Sequence, residues 1–263
     1  MTYHLDHVTI CRDGTAVLAG LNLTLHSGRV IGLVGPNGVG KSTLLAALAG
    51  DLKLDQGQVL LHDTKLHELS AAALATRRAI MAQQSALLFN LTVRQVLELG
   101  LHAFAHWQYE RKAALLSAVA TSTDVLQWLG QSITTLSVGQ QQRVHFARTL
   151  LQAQAANQEH GQAWLLLDEP TASQDPWQQQ MMMAVCREFA AEGSVGVLLV
   201  MHDLTLAAQW CDEMIVLKDK GVLAHGSTRE VLTPQTLKRA FGDQLCVHVV
   251  WEPLAGVIMS GRR

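Results

Sequence analysis

The fold of this chain is decided by the stretch Gly35-Pro36-Asn37-Gly38-Val39-Gly40-Lys41-Ser42-Thr43. A short apolar run rich in β-branched residues, residues 29–34, precedes this stretch, and a run of strong helix formers, residues 44–50, follows it. The order strand, glycine-rich loop, helix is the context in which the pattern G-x-x-x-x-G-K-[ST] predicts a phosphate-binding loop. The alternative, a glycine-rich turn that binds no ligand, is disfavoured. The stretch combines a preceding strand, the required glycine spacing, a lysine, a hydroxyl residue and a following helix.

The chemistry of the loop indicates a nucleoside triphosphate with its Mg²⁺. Its three glycines let the backbone adopt positive φ and bring N–H groups close to an anion. The helix that begins near Lys41 directs its positive end to the same place. We expect Lys41 to reach the β- and γ-phosphates and the Ser42 hydroxyl to bind Mg²⁺.

Composition excludes several other classes of protein. The 263 residues are 49% hydrophobic, and the length suffices for one large domain or two lobes. The net charge of −2 gives no general attraction to nucleic acid. Four scattered cysteines without a C-x-x-C pair argue against a zinc site or a disulfide framework and suit a reducing cytoplasm. Residues 1–7 show no signal pattern, and no apolar run approaches the ~20 residues of a bilayer span.

Residue patterns predict an α/β fold with a helical insertion. Polar and apolar residues alternate at 3–10 and 21–25, on either side of the turn Asp13-Gly14, which predicts two antiparallel strands. Further strands are expected at 58–61 and 80–82. A helix capped by Ser70 is expected at 71–75. Helical periodicity dominates from about Thr92 to Gln154, with helices expected after Thr92 and at 109–119, 124–129 and 141–151. Residues 152–162 are interpreted as a helix end and a surface loop.

The α/β pattern resumes after this block. The continuous apolar run before Asp168 predicts a strand that is buried on both faces of a mainly parallel sheet. Further strands are expected at 195–200, 214–217 and 222–224, helices at 177–191, 204–211, 229–232 and 234–241, and a last hairpin at 245–251 and 256–259.

Polar residues end three of the predicted strands. Asp168 and Glu169 follow the buried strand, where Asp168 is the expected partner of Mg²⁺ and Glu169 the expected general base for the attacking water. His202 follows residues 197–201, and parallel strands share their carboxyl edge, so a γ-phosphate contact is expected. Gln83 could offer its amide oxygen to Mg²⁺ or to the water, although Gln84 competes with it for this assignment.

Together these residues resemble the nucleotide-binding subunit of an ABC transporter over nearly the whole chain. Gly35–Thr43 matches the Walker A motif, Leu165–Glu169 the Walker B motif, Gln83 the Q-loop, His202 the switch histidine and residues 172–175 the D-loop. Leu136-Ser137-Val138-Gly139-Gln140 matches the family signature in four of five places. The resemblance implies a RecA-like phosphate-loop NTPase core with an antiparallel β subdomain at residues 1–84 and 155–263, and a helical signature subdomain at 85–154.

The family's mechanism is implied in turn. Two copies would pair head to tail, each placing Ser137, Gly139 and Gln140 on the γ-phosphate held by the other copy. Membrane permease subunits, and a periplasmic binding protein indirectly, would be the other partners, with the chain on the cytoplasmic face of the inner membrane. Part of the apolar stretch 85–94 would line the permease groove, or else Leu88, Phe89 and Leu91 pack inside the helical lobe.

Two positions depart from the family pattern. Val138 replaces the first signature glycine, and its β-branched side chain should disfavour a positive φ and add bulk beside the nucleotide, which predicts a working but slower enzyme. Arg12 stands where the family usually stacks an aromatic ring on adenine, which predicts weak base selectivity.

The subgroup that the chain resembles serves haem, cobalamin and iron–siderophore importers, with haemin importers nearest. The likeness rests on a short helical lobe, a loop at 153–162, the segment 226–234 followed by Phe241-Gly242, residues 200–204 and a short C-terminal hairpin. A soluble, non-transport ABC ATPase is the remaining alternative, disfavoured because the chain has no second cassette, long coiled coil or basic patch.

Overall fold

The computed structural model describes residues 1–82, 90–252 and 254–261. The strands are β1 (Thr2–Arg12), β2 (Thr15–His26), β3 (Val30–Val34), β4 (Gln56–Leu61), β5 (Thr64–Lys65), β6 (Arg78–Met81), β7 (Ala163–Asp168), β8 (Val195–Val200), β9 (Glu213–Lys218), β10 (Gly221–Ser227), β11 (Leu245–Val250) and β12 (Gly256–Gly261). The helices are α1 (Lys41–Ala49), α2 (Ala71–Ala75), α3 (Val93–Leu99), α4 (Tyr109–Ser122), α5 (Val138–His160), α6 (Pro176–Ala191), α7 (Leu204–Trp210), α8 (Thr228–Val231) and α9 (Pro234–Phe241).

A six-stranded sheet of order β10-β9-β3-β8-β7-β6 forms the centre of the molecule. Its strands pair in parallel except at β10, which joins β9 as an antiparallel edge. Every residue of β3, β7 and β8 is buried, as the continuous apolar runs predicted. Since parallel strands end on the same side, the loops after these three strands meet at one edge, which is where the site forms.

A second sheet, of order β2-β1-β4-β5, is antiparallel and has one buried face. That face and α1 pack against the central sheet in one apolar cluster. The rings of Tyr3 and Trp164 meet edge to face with centroids 5.0 Å apart, which joins the two sheets. A Cβ at Gly196 on β8 would lie 2.5 Å from the Trp164 ring, so this strand needs a glycine there.

The helical block begins at the predicted cap residue, Thr92, but it differs from the prediction in its interior and at its end. The Thr92 side chain accepts from the Gln95 N–H at the start of α3, and α4 extends the predicted helix by three residues. The helix expected at 124–129 is wrong: only a 3₁₀ turn forms at Leu126–Trp128, because Asp124 adopts φ 54°, which a right-handed helix does not allow.

The surface loop expected at 152–162 is also wrong. α5 runs without a break to His160 and ends at Gly161, whose φ is 68° and whose N–H donates to the Asn157 carbonyl. Alanine and glutamine favour helix, and three alanines of this stretch are buried against the core. α5 therefore continues past residue 154, the predicted boundary between the helical subdomain and the core. The division of the chain into these two subdomains stays a prediction.

The carboxyl-terminal part follows the prediction closely. β11 and β12 form the expected hairpin and pair Leu245 with Gly261 through Val250 with Gly256. The hairpin packs on α7 and α9. Among the described residues, no helix combines the length and the apolar content that a membrane span requires.

Candidate nucleotide site

The glycines of the phosphate loop are required by close contacts. Gly40 caps α1 with φ 107°, and a Cβ there would lie 2.8 Å from Leu18 Cδ2. A Cβ on Gly35 would lie 2.6 Å from the Leu217 carbonyl oxygen. The loop is therefore held against β2 and β9, with the amino end of α1 at its centre.

Lys41 is buried beneath the loop. Its Nζ donates to the carbonyl oxygens of Gly35 at 2.9 Å and Pro36 at 3.1 Å. Burial lowers the pKa of Lys41, while the negative charges of Glu169 and Asp168 act in the opposite direction. The ammonium thus holds the loop closed and lies within electrostatic reach of both acids.

Asp168 ends β7 as a buried carboxylate, 5% exposed. Burial raises its pKa, and the nearby charge of Glu169 adds to this, while a hydrogen bond from Ser42 and the charges of Lys41 and His202 lower it. Within the described residues, Asp168 Oδ1 has no hydrogen-bond partner. A buried carboxylate oxygen without a partner, beside a serine hydroxyl, is a donor set that Mg²⁺ accepts.

Glu169 and His202 meet at the same edge of the sheet. His202 Nε2 lies 2.5 Å from Glu169 Oε1. Glu169 adopts φ 52°, and its N–H donates to the Val200 carbonyl at 3.2 Å, which turns the chain sharply at the end of β7. Its side chain is mostly buried and that of His202 half-exposed, so the pair faces the solvent from the His202 side.

Lys41, Glu169 and His202 line one open cleft of about 630 Å³, and Asp168 is not part of its lining. It brings together nine of the predicted site residues and Val17, in the set Arg12, Val17, Asn37, Gly38, Gly40, Lys41, Ser42, Thr43, Glu169 and His202. Arg12 lines the cleft with Val17, and it pairs with Thr15 at the turn of the first hairpin. Gln83 and Gln84, like Leu88 and Phe89, fall outside the described residues.

The segment Leu136–Gln140 is not part of the cleft lining. Ser137 caps α5, with its Oγ accepting from the Gln140 N–H at 3.3 Å and the Gln140 side chain accepting from the Ser137 N–H at 2.9 Å. Val138 is the first residue of the helix, so the expected strain from a positive φ is wrong. Its side chain is 72% exposed.

Known proteins match this arrangement. The family described as "ABC transporter" matches residues 18–172. The chain belongs to the ABC transporter family. A "Hemin import ATP-binding protein HmuV" of Bordetella pertussis is 40% identical over 242 residues, 92% of each chain. A "Cobalamin import ATP-binding protein BtuD" of Halobacterium salinarum is 37% identical over 259 residues, 98% of this chain and 63% of that one.

Solved structures share the fold of this ABC protein. One described as the ATP binding subunit of an ABC transporter has a TM-score of 0.77 at 20% identity, covering 92% of this chain and 93% of that one. CbiO1 from Clostridium perfringens, described as part of the ABC transporter complex cbiONQ, has a TM-score of 0.73 at 25% identity, covering 90% and 92%. The fold class predicted from the sequence is thereby confirmed.

In this ABC protein the D-loop touches the signature helix of the same chain. Gln174 Nε2 donates to the Gly139 carbonyl at 2.8 Å, and a Cβ on Gly139 would lie 2.7 Å from the Ser173 carbonyl oxygen. Gln142 Nε2 donates to the Glu169 carbonyl at 2.9 Å. Gln142 is not among the residues predicted from the sequence, where its only signal is its place one turn into the helix that begins within the signature.

The stretch 85–94 is described only from residue 90 onwards. Leu91 is partly buried and packs on the main core, and Val93 is fully buried. For Leu91, packing inside the helical lobe is therefore the arrangement found.

Proposed function

We propose that this chain is the ATP-hydrolysing subunit of an ABC importer that couples ATP binding and hydrolysis to the uptake of haemin across the inner membrane. The observation that carries the ATPase assignment is the cleft in which Lys41, Ser42, Glu169 and His202 meet, with buried Asp168 beside Ser42. Haemin as the cargo is inferred from the Bordetella relatives that match 92% of the chain.

The phosphate loop would bind the triphosphate. Residues Gly35, Pro36, Asn37, Gly38, Val39, Gly40 and Thr43 would supply backbone contacts, and the Lys41 ammonium would exchange its loop carbonyls for β- and γ-phosphate oxygens. Ser42 and Asp168 would hold Mg²⁺, with Gln83 proposed as a further ligand. When bound, that ion neutralises charge on the β- and γ-phosphate oxygens.

Glu169 would act as the general base. Its carboxylate takes a proton from water, the water oxygen attacks the γ-phosphorus, and the bond from that phosphorus to the β–γ bridging oxygen breaks, giving ADP and phosphate. His202, 2.5 Å from Glu169, would orient the carboxylate and contact the γ-phosphate. Of the two side chains, Glu169 is the less exposed to solvent.

A second copy would complete each site. In the proposed head-to-tail dimer, Ser137, Gly139 and Gln140 of one copy face the γ-phosphate bound by the other. The absence of the signature from the cleft lining of one chain, and the exposure of Val138, support this arrangement. The amino end of α5 would then direct its dipole to the triphosphate.

The remaining partners are proposed from the family. Integral-membrane permease subunits would bind the helical subdomain, and a periplasmic binding protein would act indirectly. The chain would lie peripherally on the cytoplasmic face of the inner membrane and would have no nucleic-acid partner.

Arg12 is proposed to stack on the base. Its guanidinium lines the cleft beside Val17, and such stacking distinguishes bases poorly. Exchange of Arg12→Tyr should raise the preference for ATP over CTP in hydrolysis assays. Equal preference in both proteins would contradict this role.

Complementation of a host that lacks this chain tests the function. Wild type should restore haemin uptake, Glu169→Gln should not, and Glu188→Gln, at an exposed carboxylate on α6, should behave as wild type. Restored uptake of cobalamin or ferric siderophore instead of haemin would favour that cargo, for which the Halobacterium relative is the precedent. A purified homodimer that binds nucleic acid and no membrane protein would favour a non-transport ATPase.

A further inference from the structure

The first turn of α7 is tied to the carboxyl-terminal hairpin by one side chain. Thr205 Oγ1 donates to the Val257 carbonyl and accepts from the Val257 N–H, both at 3.1 Å. In an antiparallel strand these two groups of one residue point to the same side, so Thr205 occupies the edge of β12 that faces away from β11. One turn further along α7, Gln209 Nε2 donates to the Ala255 carbonyl at 2.9 Å.

The same turn determines where the backbone of His202 lies. On one side of His202, the Met201 N–H donates to the Leu33 carbonyl at 3.1 Å and fixes the chain to the sheet. On the other side, Asp203 Oδ1 accepts from the N–H groups of Thr205 at 2.8 Å and Leu206 at 2.9 Å. A shift of this first turn would therefore move His202 relative to Glu169.

Both the hairpin and the far end of α7 are anchored elsewhere. Trp210 Nε1 donates to Gln180 Oε1 at 2.7 Å, which fixes the carboxyl end of α7 to α6. Val247 of the hairpin is buried in the main core, and Trp251 packs on that core beneath the Arg229 guanidinium, 5.5 Å from the ring centroid. Leu204 and Leu206 of the first turn are buried in the same core, and the bonds of Thr205 and Gln209 link this turn directly to the hairpin.

We propose that Thr205 is a positioning residue for the nucleotide site. Its hydroxyl makes two hydrogen bonds to the backbone of Val257 in the carboxyl-terminal hairpin. These bonds hold the first turn of α7 in place, so that His202 stays in contact with Glu169. The inference rests on the proposed ATPase function and extends the working site to a hairpin that lines no part of the cleft.

Two substitutions in the full-length chain separate the hydroxyl from the shape of the side chain. Thr205→Val keeps the β-branched shape and removes the hydroxyl, whereas Thr205→Ser keeps the hydroxyl. We expect Thr205→Val to lower kcat for ATP hydrolysis about tenfold with KM for ATP unchanged, since the phosphate loop is untouched. Thr205→Ser should retain kcat within about twofold of wild type.

A control variant accounts for a general loss of stability. Thr236→Val removes a hydroxyl from α9 that bonds Thr233 Oγ1 at 3.0 Å, and it should leave kcat unchanged. The imidazole NMR signal of His202, assigned with His202→Gln in the nucleotide-free chain, should move in Thr205→Val and stay in place in Thr236→Val.

The outcomes distinguish this inference from the proposed function. If wild type hydrolyses no ATP, the proposed function fails, while the NMR signal still reports whether Thr205 positions His202. If wild type is active, the inference is overturned by an unchanged kcat in Thr205→Val, by equal losses in Thr205→Val and Thr205→Ser, or by an unmoved His202 signal.

Discussion

The phosphate-loop cleft and the amino end of α5 are built from different kinds of contact. In the cleft, Lys41 begins the helix after β3, Glu169 and His202 follow β7 and β8, and the three interact within one chain. At α5, Ser137 and Gln140 bond each other across one helical turn, and Val138 faces solvent. The sheet thus brings together the groups of the first region, whereas local capping shapes the second and leaves Val138 exposed.

The largest expected effect is at the cleft. Glu169→Gln removes the proposed general base and keeps the volume of the side chain, so the ATPase rate should fall about 10²- to 10³-fold. ATP binding, measured by equilibrium titration, should stay close to wild type because the phosphate loop is unchanged. A rate within tenfold of wild type would mean that another group accepts the proton.

Lowering the pH should destabilise the folded chain through His145 of α5. This imidazole is buried, and its Nδ1 has no hydrogen-bond partner in the part of the chain that the structure describes. Burial, with a smaller contribution from the charge of Arg148, lowers its pKa to about 4. Because the pKa in the folded chain lies below the unfolded value of 6.5, stability is complete above pH 6.5 and falls as the pH approaches 4.

The size of this effect can be measured by urea unfolding. Between pH 7 and pH 5 the free energy of unfolding should drop by about 2 kcal/mol through His145 alone. His145→Gln should lose that part of the pH dependence. Equal pH slopes for the two proteins would show that the imidazole does not stay neutral in the folded chain.

Gly139→Ala tests the contact between the D-loop and α5. The added Cβ would lie 2.7 Å from the Ser173 carbonyl oxygen, so the D-loop must shift and the ATPase rate should fall about tenfold. Gly130→Ala is the matched control, since a Cβ there meets nothing within 4 Å. A Gly139→Ala protein as active as the control would show that the D-loop moves freely.

The smallest effect is expected next to that glycine. Val138→Gly should change the ATPase rate by less than about twofold, because the residue is helical and its side chain is exposed. A rate increase well above this, with stronger ATP-driven dimerisation, would show that the valine side chain obstructs the partner. That result would support the prediction from the sequence that Val138 slows the enzyme.

Much of the fold could be predicted because its signals are local. The strand–loop–helix order at Gly35–Thr43, the buried runs of β7 and β8 and the caps at Ser70 and Thr92 depend on neighbouring residues. The misjudged segments lack such signals. The polar residues after Gln152 predict a helix end and a loop, although alanines buried by tertiary packing keep that segment helical.

The sequence alone determined which groups are proposed to bind and cleave a triphosphate, since residue type and spacing define the phosphate loop and the two acids at the end of β7. Only the tertiary structure brought His202 to within 2.5 Å of Glu169, 33 positions earlier, and Gln142 to the Glu169 carbonyl. The bonds of Thr205 to Val257, 52 positions later, depend on it as well. The physical reason is that such contacts are fixed by strand register and helix packing. Neither of these can be inferred from the pattern of residues within one stretch of the sequence.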